Sequence, residues 1–115
     1  MRAGDIRWCD FGAPRTHVQA LRRPALIIAN SNYHEAIPNL SIVMPITSQY
    51  RPWPQRVTIE SGQRSGLAKE SYIITEQPIT IGLEQLGKII GIASDKELTD
   101  SLAALRRFVS QETLS

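Results

Sequence analysis

The 115-residue sequence predicts a single α+β domain over residues 1–115, in which a small, strongly bent antiparallel sheet or barrel precedes one α-helix. The length suits one hydrophobic core. Several short apolar segments are separated by turns rich in Gly and Pro, which is the pattern of short strands. A capped amphipathic segment follows them near the C-terminal end.

The strands of the first half are predicted from their apolar patterns. Residues 5–11 alternate between apolar and polar side chains and lie between glycines. After a polar loop to about residue 22, Pro24–Ala29 is a continuous apolar run, typical of a strand buried on both faces. Asn30 can cap a short helix or turn. Residues 41–46 form a second buried strand, with Pro45 near its end where a missing N–H costs least.

The second half is predicted from turn residues and helical spacing. Arg51–Pro54 is a rigid turn, because two prolines fix φ, and strands are predicted over 55–60, 71–75 and 89–93. Ser94 and Glu97 have the spacing of a capping box, so a helix begins there. One apolar stripe at helical spacing is expected to pack on the sheet; it consists of Leu98, Leu102, Leu105 and Val109.

Composition excludes some classes of protein. No run approaches the roughly 18 apolar residues of a membrane span, and the N-terminal residues lack the apolar core of a secretory signal. Cys9 is the only cysteine and cannot form an internal disulfide. A cytoplasmic protein is therefore expected. Residues 1–56 hold seven arginines and three acidic residues, a net charge of +4, whereas residues 57–115 carry −2, an asymmetry that favours a polyanionic partner.

Metal and cofactor chemistry is not expected. Cys9, His17 and His34 lack the close ligand spacing of zinc sites. No phosphate-binding glycine loop, nucleophile elbow or dinucleotide fingerprint occurs. The sequence thus leaves catalysis without a metal or cofactor, or simple binding.

Polar residues flank three of the predicted buried strands. Arg23 opens one, residues 47–49 close the next, and Glu76 with Gln77 closes the third. Each could be an ordinary solvated strand end. Their convergence on one concave site is the alternative, because neighbouring antiparallel strands bring such ends to the same edge.

A set of short motifs resembles the MazF, PemK and Kid toxins. They occur in the order found in that family and cover nearly the whole chain: Gly4-Asp5-Ile6-x-Trp8-x-Asp10-Phe11, Gln19-Ala20-x-x-Arg23-Pro24-Ala25-Leu26, Pro45-Ile46-Thr47-Ser48, Gly66-Leu67-x-Lys69, Glu76-Gln77 and Leu86-Gly87-Lys88-x-Ile90-Gly91. The resemblance implies an SH3-like barrel of the CcdB/MazF/Kid type, assembled as a homodimer. It also implies metal-independent cleavage of single-stranded RNA to 2′,3′-cyclic phosphate and 5′-OH ends, blocked by the disordered C-terminal segment of a cognate antitoxin.

The same resemblance implies roles for individual residues. Arg23 would stabilise charge on the phosphoryl oxygens, and Thr47 with Ser48 would hydrogen-bond the scissile phosphate. His17 would be the general acid and Glu76 the general base. The expected substrate contacts are Ser48, Gln19, Gln49, Arg51, Trp53 and Gln77. Trp53 could stack a base or, alternatively, cover the open end of the barrel.

Some positions depart from the family pattern, namely Val18, Leu21, Ile74 and Ile79. Members commonly carry Glu and Gly at the first two, and cations near the last two. The loss of such groups would remove acid–base partners or phosphate contacts. Two alternatives to a ribonuclease therefore stay open: a non-catalytic relative that still binds its partner, and a CcdB-like gyrase-binding toxin.

Overall fold

A curled antiparallel sheet of seven strands runs through residues 1–12 and 22–112, the parts of the chain that this computed structural model describes. The elements in chain order are strands β1 (Asp5–Asp10) and β2 (Arg22–Ile27), helix α1 (Ser31–Ala36), strands β3 (Leu40–Thr47), β4 (Val57–Ile59), β5 (Ser71–Ile73) and β6 (Ile79–Gly82), a 3₁₀ turn (Leu83–Gln85), strand β7 (Leu86–Ile92) and helix α2 (Asp95–Arg106).

The sheet order is β4-β5-β3-β2-β1-β7, and β3 organises its curl. One edge of β3 pairs with β2, while the other pairs first with β6 and then, after residue 43, with β5. Pro45 lies at this change of partner, and its carbonyl oxygen accepts from the amide of Ile74 at 2.9 Å. Register shifts between β1 and β7 bend the other side of the sheet. The result is a half-barrel with a C-terminal helix, which confirms the predicted α+β class.

Two clusters of buried side chains lie on opposite faces of the sheet because alternate residues of β2 point in opposite directions. Leu26 joins the first cluster, which packs against α2, with Ile6, Met44, Ile46, Ile59, Leu67 and Ile73. Ala25 and Ile27 join the second, with Cys9, Val43 and Ile81. The prediction that this strand is buried on both faces is confirmed.

The predicted elements are present, but several boundaries shift. Asn30 caps α1 by accepting from the amide of Tyr33 at 3.1 Å, as expected. Strands β4 and β5 are shorter than predicted, and β7 begins three residues earlier. Strand β6 was not predicted at all. It has four residues, of which Ile79 is 42% exposed and Ile81 is buried, so its only signal was a brief alternation after Pro78.

Helix α2 has the predicted capping box but a different buried face. The Ser94 hydroxyl accepts from the Glu97 amide at 3.1 Å, and the Glu97 carboxylate accepts from the Ser94 amide at 2.8 Å. The most buried helix residues are Glu97, Ser101 and Ala104, whereas Leu98 and Leu105 pack less completely against the core. Val109 lies beyond the helix end and is 64% exposed, so its place in the predicted stripe is wrong.

Candidate functional site

A cavity of about 530 Å³ opens where β2 begins and β3 ends. Its polar lining includes Arg22, Arg23, Thr47, Ser48, Gln49, Lys69 and Ser71, and apolar walls come from Trp8, Pro24, Ile46, Leu67 and Ile90. Three of these lining residues are cations, and no acidic residue lines the cavity in the described part of the chain. Such a concentration of positive charge in a concave site favours a phosphate-bearing ligand.

The two arginines at the start of β2 are positioned by strand pairing with β1. Arg22 opposes Asp10 in the register and Arg23 opposes Cys9. The Arg22 guanidinium lies 5.2 Å from the centre of the Trp8 ring, a cation–π contact that holds it at the cavity wall. Arg23 is half-buried and lines both this cavity and a neighbouring one of about 580 Å³.

The polar residues after β3 form a tight turn at the cavity rim. The hydroxyl oxygen of Thr47 accepts from the amide of Gln49 at 3.1 Å. Its hydroxyl proton can therefore still be donated to a ligand oxygen. Arg51 donates to the side-chain carbonyl of Gln49 at 3.4 Å, which places this exposed cation next to the turn. The strand ends thus bring Arg23, Thr47, Ser48 and Gln49 together, and Arg51 is attached through Gln49.

A glycine places Lys69 at the same cavity. Gly66 has φ of +75°, and a Cβ at this position would collide with the carbonyl oxygen of Ile90. Only glycine therefore lets the 61–66 loop cross β7 at this distance. Beyond the crossing, Leu67 enters the core and Lys69 reaches the cavity wall. Sequence reasoning did not include Lys69 or Arg22 in the site, although both stand inside or beside the motifs noted above.

Glu76 lies in a different cluster from Arg23. Its carboxylate accepts from the Arg56 guanidinium at 3.0 Å, with the two side chains 20% and 9% exposed. The guanidinium in turn lies 4.4 Å from the centre of the Trp53 ring. Glu76 lines a cavity formed with Leu105, Phe108 and Val109, and it is absent from the linings of both Arg23 cavities. The structure therefore does not bring Glu76 together with Arg23 and Thr47. Trp53 keeps 44% exposure but belongs to the Arg56 cluster.

Gln77 is closer to the predicted site than its neighbour Glu76. It lines the cavity of about 580 Å³ together with Arg23, Phe11, Pro45, Ile74, Pro78 and Ile79. Ile74 and Ile79, two of the departures from the family pattern, thus make this second cavity apolar beside Arg23. A ligand extending from the cation-rich cavity past Arg23 would meet an amide and hydrophobic side chains there.

Comparison with known proteins identifies the family. A sequence profile of the PemK-like, MazF-like toxins of type II toxin–antitoxin systems matches residues 2–109. The chain belongs to this family. The endoribonuclease toxin MazF of Escherichia coli (strain K12) is 29% identical to it over 65 residues, which is 56% of this chain and 58% of that protein. The match thus spans little more than half the length of this MazF.

Solved structures of MazF proteins share the fold. Crystalline MazF from Deinococcus radiodurans superposes with a TM-score of 0.77 at 20% identity, covering 94% of each chain. An endoribonuclease from Mycobacterial species, solved in complex with its cognate antitoxin, superposes with a TM-score of 0.73 at 20% identity, covering 93% of this chain and 92% of that one. The MazF fold is therefore established for this member of the family.

Two of the predicted site residues lie outside the residues that the structure describes, and the second histidine of the sequence lies away from the cavity. His17 and Gln19, with Val18 and Leu21, fall within residues 13–21, outside the described residues. His34, excluded above as a metal ligand, is partly buried, and its Nε2 lies 2.8 Å from the hydroxyl of the buried Ser41.

The described residues contain neither a metal-binding cluster nor a helix that could span a membrane. No group of three or more His, Cys, Asp or Glu side chains there could hold a metal ion. Cys9 is buried, and burial, followed by the nearby Asp10 charge, raises the pKa of its thiol to about 11. Cys9 therefore stays protonated at neutral pH. None of the helices in these parts of the chain has the length and apolar character needed to cross a membrane.

A larger cavity, of about 760 Å³, lies between α2 and β4 and is lined by both cations and carboxylates. Arg64 donates two hydrogen bonds to Glu97 there, at 2.9 and 3.2 Å. Burial raises the pKa of Glu97, but the Arg64 contacts and the amides of Ser94 and Glu60 outweigh it, so the pKa of this carboxyl falls below its ordinary value. Because cations and carboxylates balance in this cavity, it lacks the single sign of charge found at Arg23.

Proposed function

We propose that this chain is an endoribonuclease toxin that cleaves single-stranded RNA at the cavity of Arg23 and Thr47. The main support is that Arg22, Arg23 and Lys69 line the same cavity as the hydroxyl-bearing residues Thr47 and Ser48. No acidic residue lines this cavity in the described part of the chain. Membership in the MazF-like toxin family and the endoribonuclease named among its relatives support the same activity.

The reaction needs few groups from the protein because RNA carries its own nucleophile. The ribose 2′-oxygen attacks the adjacent phosphorus, the bond to the 5′-oxygen breaks, and a 2′,3′-cyclic phosphate and a free 5′-OH result. A base, either a side chain or a water molecule, must accept the 2′-OH proton, while the protein stabilises the charge on the phosphoryl oxygens and protonates the leaving oxygen. We propose that these steps proceed without a metal ion.

The proposed roles follow from position. The Arg23 guanidinium donates paired hydrogen bonds to the phosphoryl oxygens, and the Thr47 and Ser48 hydroxyls donate to the same phosphate. Arg51 and Gln49 hold the flanking backbone on one side, and Gln77 contacts it beyond Arg23. By the family resemblance, His17 would protonate the leaving oxygen and Gln19 would contact the substrate.

Glu76 was expected to be the general base, and its contact with Arg56 favours another role. Its Oε2 binds Arg56, and its Oε1 is buried without a hydrogen-bond partner in the described part of the chain, outside both cavities that Arg23 lines. We propose that Glu76 instead holds Arg56 against Trp53 and so braces the turn at residues 51–54. Trp53 can still stack a base on its exposed part, as expected for a substrate contact.

The activity is tested by incubating the purified chain with a mixed pool of single-stranded RNA in the presence of EDTA, then sequencing the cleaved ends. Arg23→Ala and Thr47→Val are expected to lower the rate at least about 100-fold, since each removes a donor to the developing charge. Arg106→Ala, an exposed cation on α2, is the matched control and should cleave normally.

Each alternative gives a different result, in this experiment or, for the gyrase-binding function, when the chain is expressed in bacterial cells. Unchanged cleavage by both site variants would show that the site assignment is wrong. Intact RNA with the wild-type chain would contradict the activity itself. Growth arrest accompanied by trapped gyrase–DNA complexes would instead support the CcdB-like function.

A second copy of the chain and an antitoxin are the proposed partners. Several large apolar side chains are exposed on β7 and after α2, namely Ile89 (45%), Ile92 (50%), Phe108 (62%) and Val109 (64%). A homodimer would remove such surface from water. An acidic, disordered antitoxin segment would complement the cation-rich cavity. Light scattering on the purified chain gives the oligomeric state, and a monomer at micromolar concentration would contradict the dimer.

A further inference from the structure

A pair of tyrosines, one exposed and one partly buried, lies directly beside Thr47 and was not part of the predicted site. The rings of Tyr50 and Tyr72 are 5.6 Å apart between centroids, with an interplanar angle of 69°. Tyr50 is 65% exposed. An edge-to-face pair of this kind leaves ring surface open to solvent, so it offers a flat, apolar contact area at a polar strand end.

Strand pairing connects these rings to the proposed phosphate site. Tyr72 of β5 is the cross-strand partner of Thr47 of β3. Directly opposed residues of an antiparallel pair project from the same face, with Cβ atoms about 5 Å apart. The Tyr72 ring therefore starts about 5 Å from the Thr47 side chain. Tyr50 follows Thr47 by three residues, at the end of the turn that Thr47 and Gln49 form.

The Tyr72 ring is held in place by its neighbours. Its hydroxyl donates to the Glu70 carboxylate at 3.4 Å, and the Tyr50 ring packs against it. Partial burial, and then the Glu70 charge and hydrogen bond, raise the pKa of Tyr72, so the phenol remains a neutral donor. A ring fixed in this way loses little side-chain entropy when a flat ligand stacks on it.

We propose that Tyr50 and Tyr72 form a nucleobase-binding subsite for a base next to the scissile phosphate. This subsite presupposes the proposed RNA substrate. A nucleotide carries its base one sugar away from its phosphate, and the Thr47–Tyr72 pairing provides a phosphate donor and an aromatic surface at a similar spacing. Stacking tolerates any base, since every base has a π-face. The subsite therefore positions single-stranded RNA and excludes duplexes, whose bases are already stacked.

The test measures binding of a fluorescent, uncleavable 2′-O-methyl RNA oligonucleotide by anisotropy. Tyr50→Leu and Tyr72→Leu keep apolar bulk but remove the π-system, and each is expected to weaken binding about 5- to 100-fold. Tyr72→Phe keeps the ring and should bind within about 2-fold of wild type. Tyr33→Leu, a tyrosine on α1 that contacts His34, is the matched control with unchanged affinity.

Salt dependence and abasic probes separate stacking from charge. The tyrosine variants should keep the wild-type slope of log affinity against log salt, whereas Lys69→Gln should reduce its magnitude by about 0.7. Abasic nucleotides placed along the oligonucleotide in turn should reveal one position that weakens the wild type but not Tyr50→Leu.

The outcomes distinguish this inference from the proposed function. Wild-type affinity in both leucine variants, with RNA cleavage intact, would overturn the subsite alone. Tyrosine-dependent binding without cleavage would support the subsite and contradict the enzyme. An equal loss in Tyr72→Phe and Tyr72→Leu, or a changed salt slope in the leucine variants, would also overturn stacking.

Discussion

Replacing Glu76 by Gln separates the two roles considered for this residue. As a general base, Glu76 would contribute about 10²- to 10⁴-fold to the rate, and Gln could not replace it. As a brace for Arg56, it would contribute mainly to stability. The structure favours the second role, because the carboxylate contacts Arg56 at 3.0 Å and lines neither of the cavities that contain Arg23.

The expected stability loss follows from the burial of the pair. Breaking a fully buried ion pair costs about 3 to 5 kcal/mol. Here Arg56 is 9% and Glu76 is 20% exposed, and one hydrogen bond joins them. Because the pair is not fully buried, water can partly hydrate the charge that a substitution leaves behind, which reduces the loss of stability. We expect Glu76→Ala to lower the free energy of unfolding by about 2 to 3 kcal/mol. Glu76→Gln keeps an acceptor for Arg56 and should cost about 1 to 2 kcal/mol.

Urea denaturation and single-turnover RNA cleavage, at a temperature where every variant is folded, measure the two quantities separately. The bracing role predicts that Glu76→Gln keeps its cleavage rate within a few-fold of wild type. Arg56→Met is the matched variant and should lose similar stability, because it leaves the other charge of the pair buried. A Glu76→Gln chain with wild-type stability and a 100-fold slower rate would refute the bracing role and restore the general base.

Three further predictions test the fold. Gly66→Ala should lower stability by about 3 kcal/mol or more, since it adds strain at positive φ and a collision with Ile90. Gly62→Ala, which is strained at φ of +128° but has open space around it, should lose about 1 to 3 kcal/mol, and less than Gly66→Ala in the same urea titration. The lowered pKa of Glu97 stabilises the fold fully above its ordinary value of 4.5, and this contribution disappears as pH falls through the folded-state pKa. Glu97→Gln should therefore flatten the acid side of a stability–pH curve. With its pKa near 11 rather than 9.0, Cys9 should react with a thiol reagent about 100-fold more slowly in the native than in the unfolded chain at pH 8.

Local sequence patterns predicted the elements whose signals are local. The apolar run at Pro24–Ala29 and the Ser94 capping box depend on neighbouring residues, and both are confirmed. Strand β6 and the buried face of α2 depend on distant partners. Glu97 faces the sheet because Arg64, 33 residues away in sequence, binds its carboxylate. No helical periodicity contains that information.

The candidate site also has one part that local sequence patterns predicted and another that depends on distant contacts. The convergence of Arg23 with residues 47–49 follows from two neighbouring buried strands, which the sequence indicated. The placement of Lys69 depends on how Gly66 crosses β7, and that of Glu76 depends on Arg56, 20 residues earlier in the chain. These long-range contacts could not be read from the motifs alone.

The charge asymmetry of the sequence has a structural counterpart with a measurable consequence. In the described parts of the chain, the ion pairs involve Arg56, Arg64 and Lys96 and lie outside the cation-rich cavity. Arg22, Arg23 and Lys69 meet no carboxylate in that cavity, so their mutual repulsion is relieved when a polyanion binds. Three phosphate contacts would give a slope of about −2 for log affinity against log salt with single-stranded RNA. Raising salt from about 50 to 200 mM should then weaken binding about 20-fold, and a slope near zero would show that these cations do not contact phosphates.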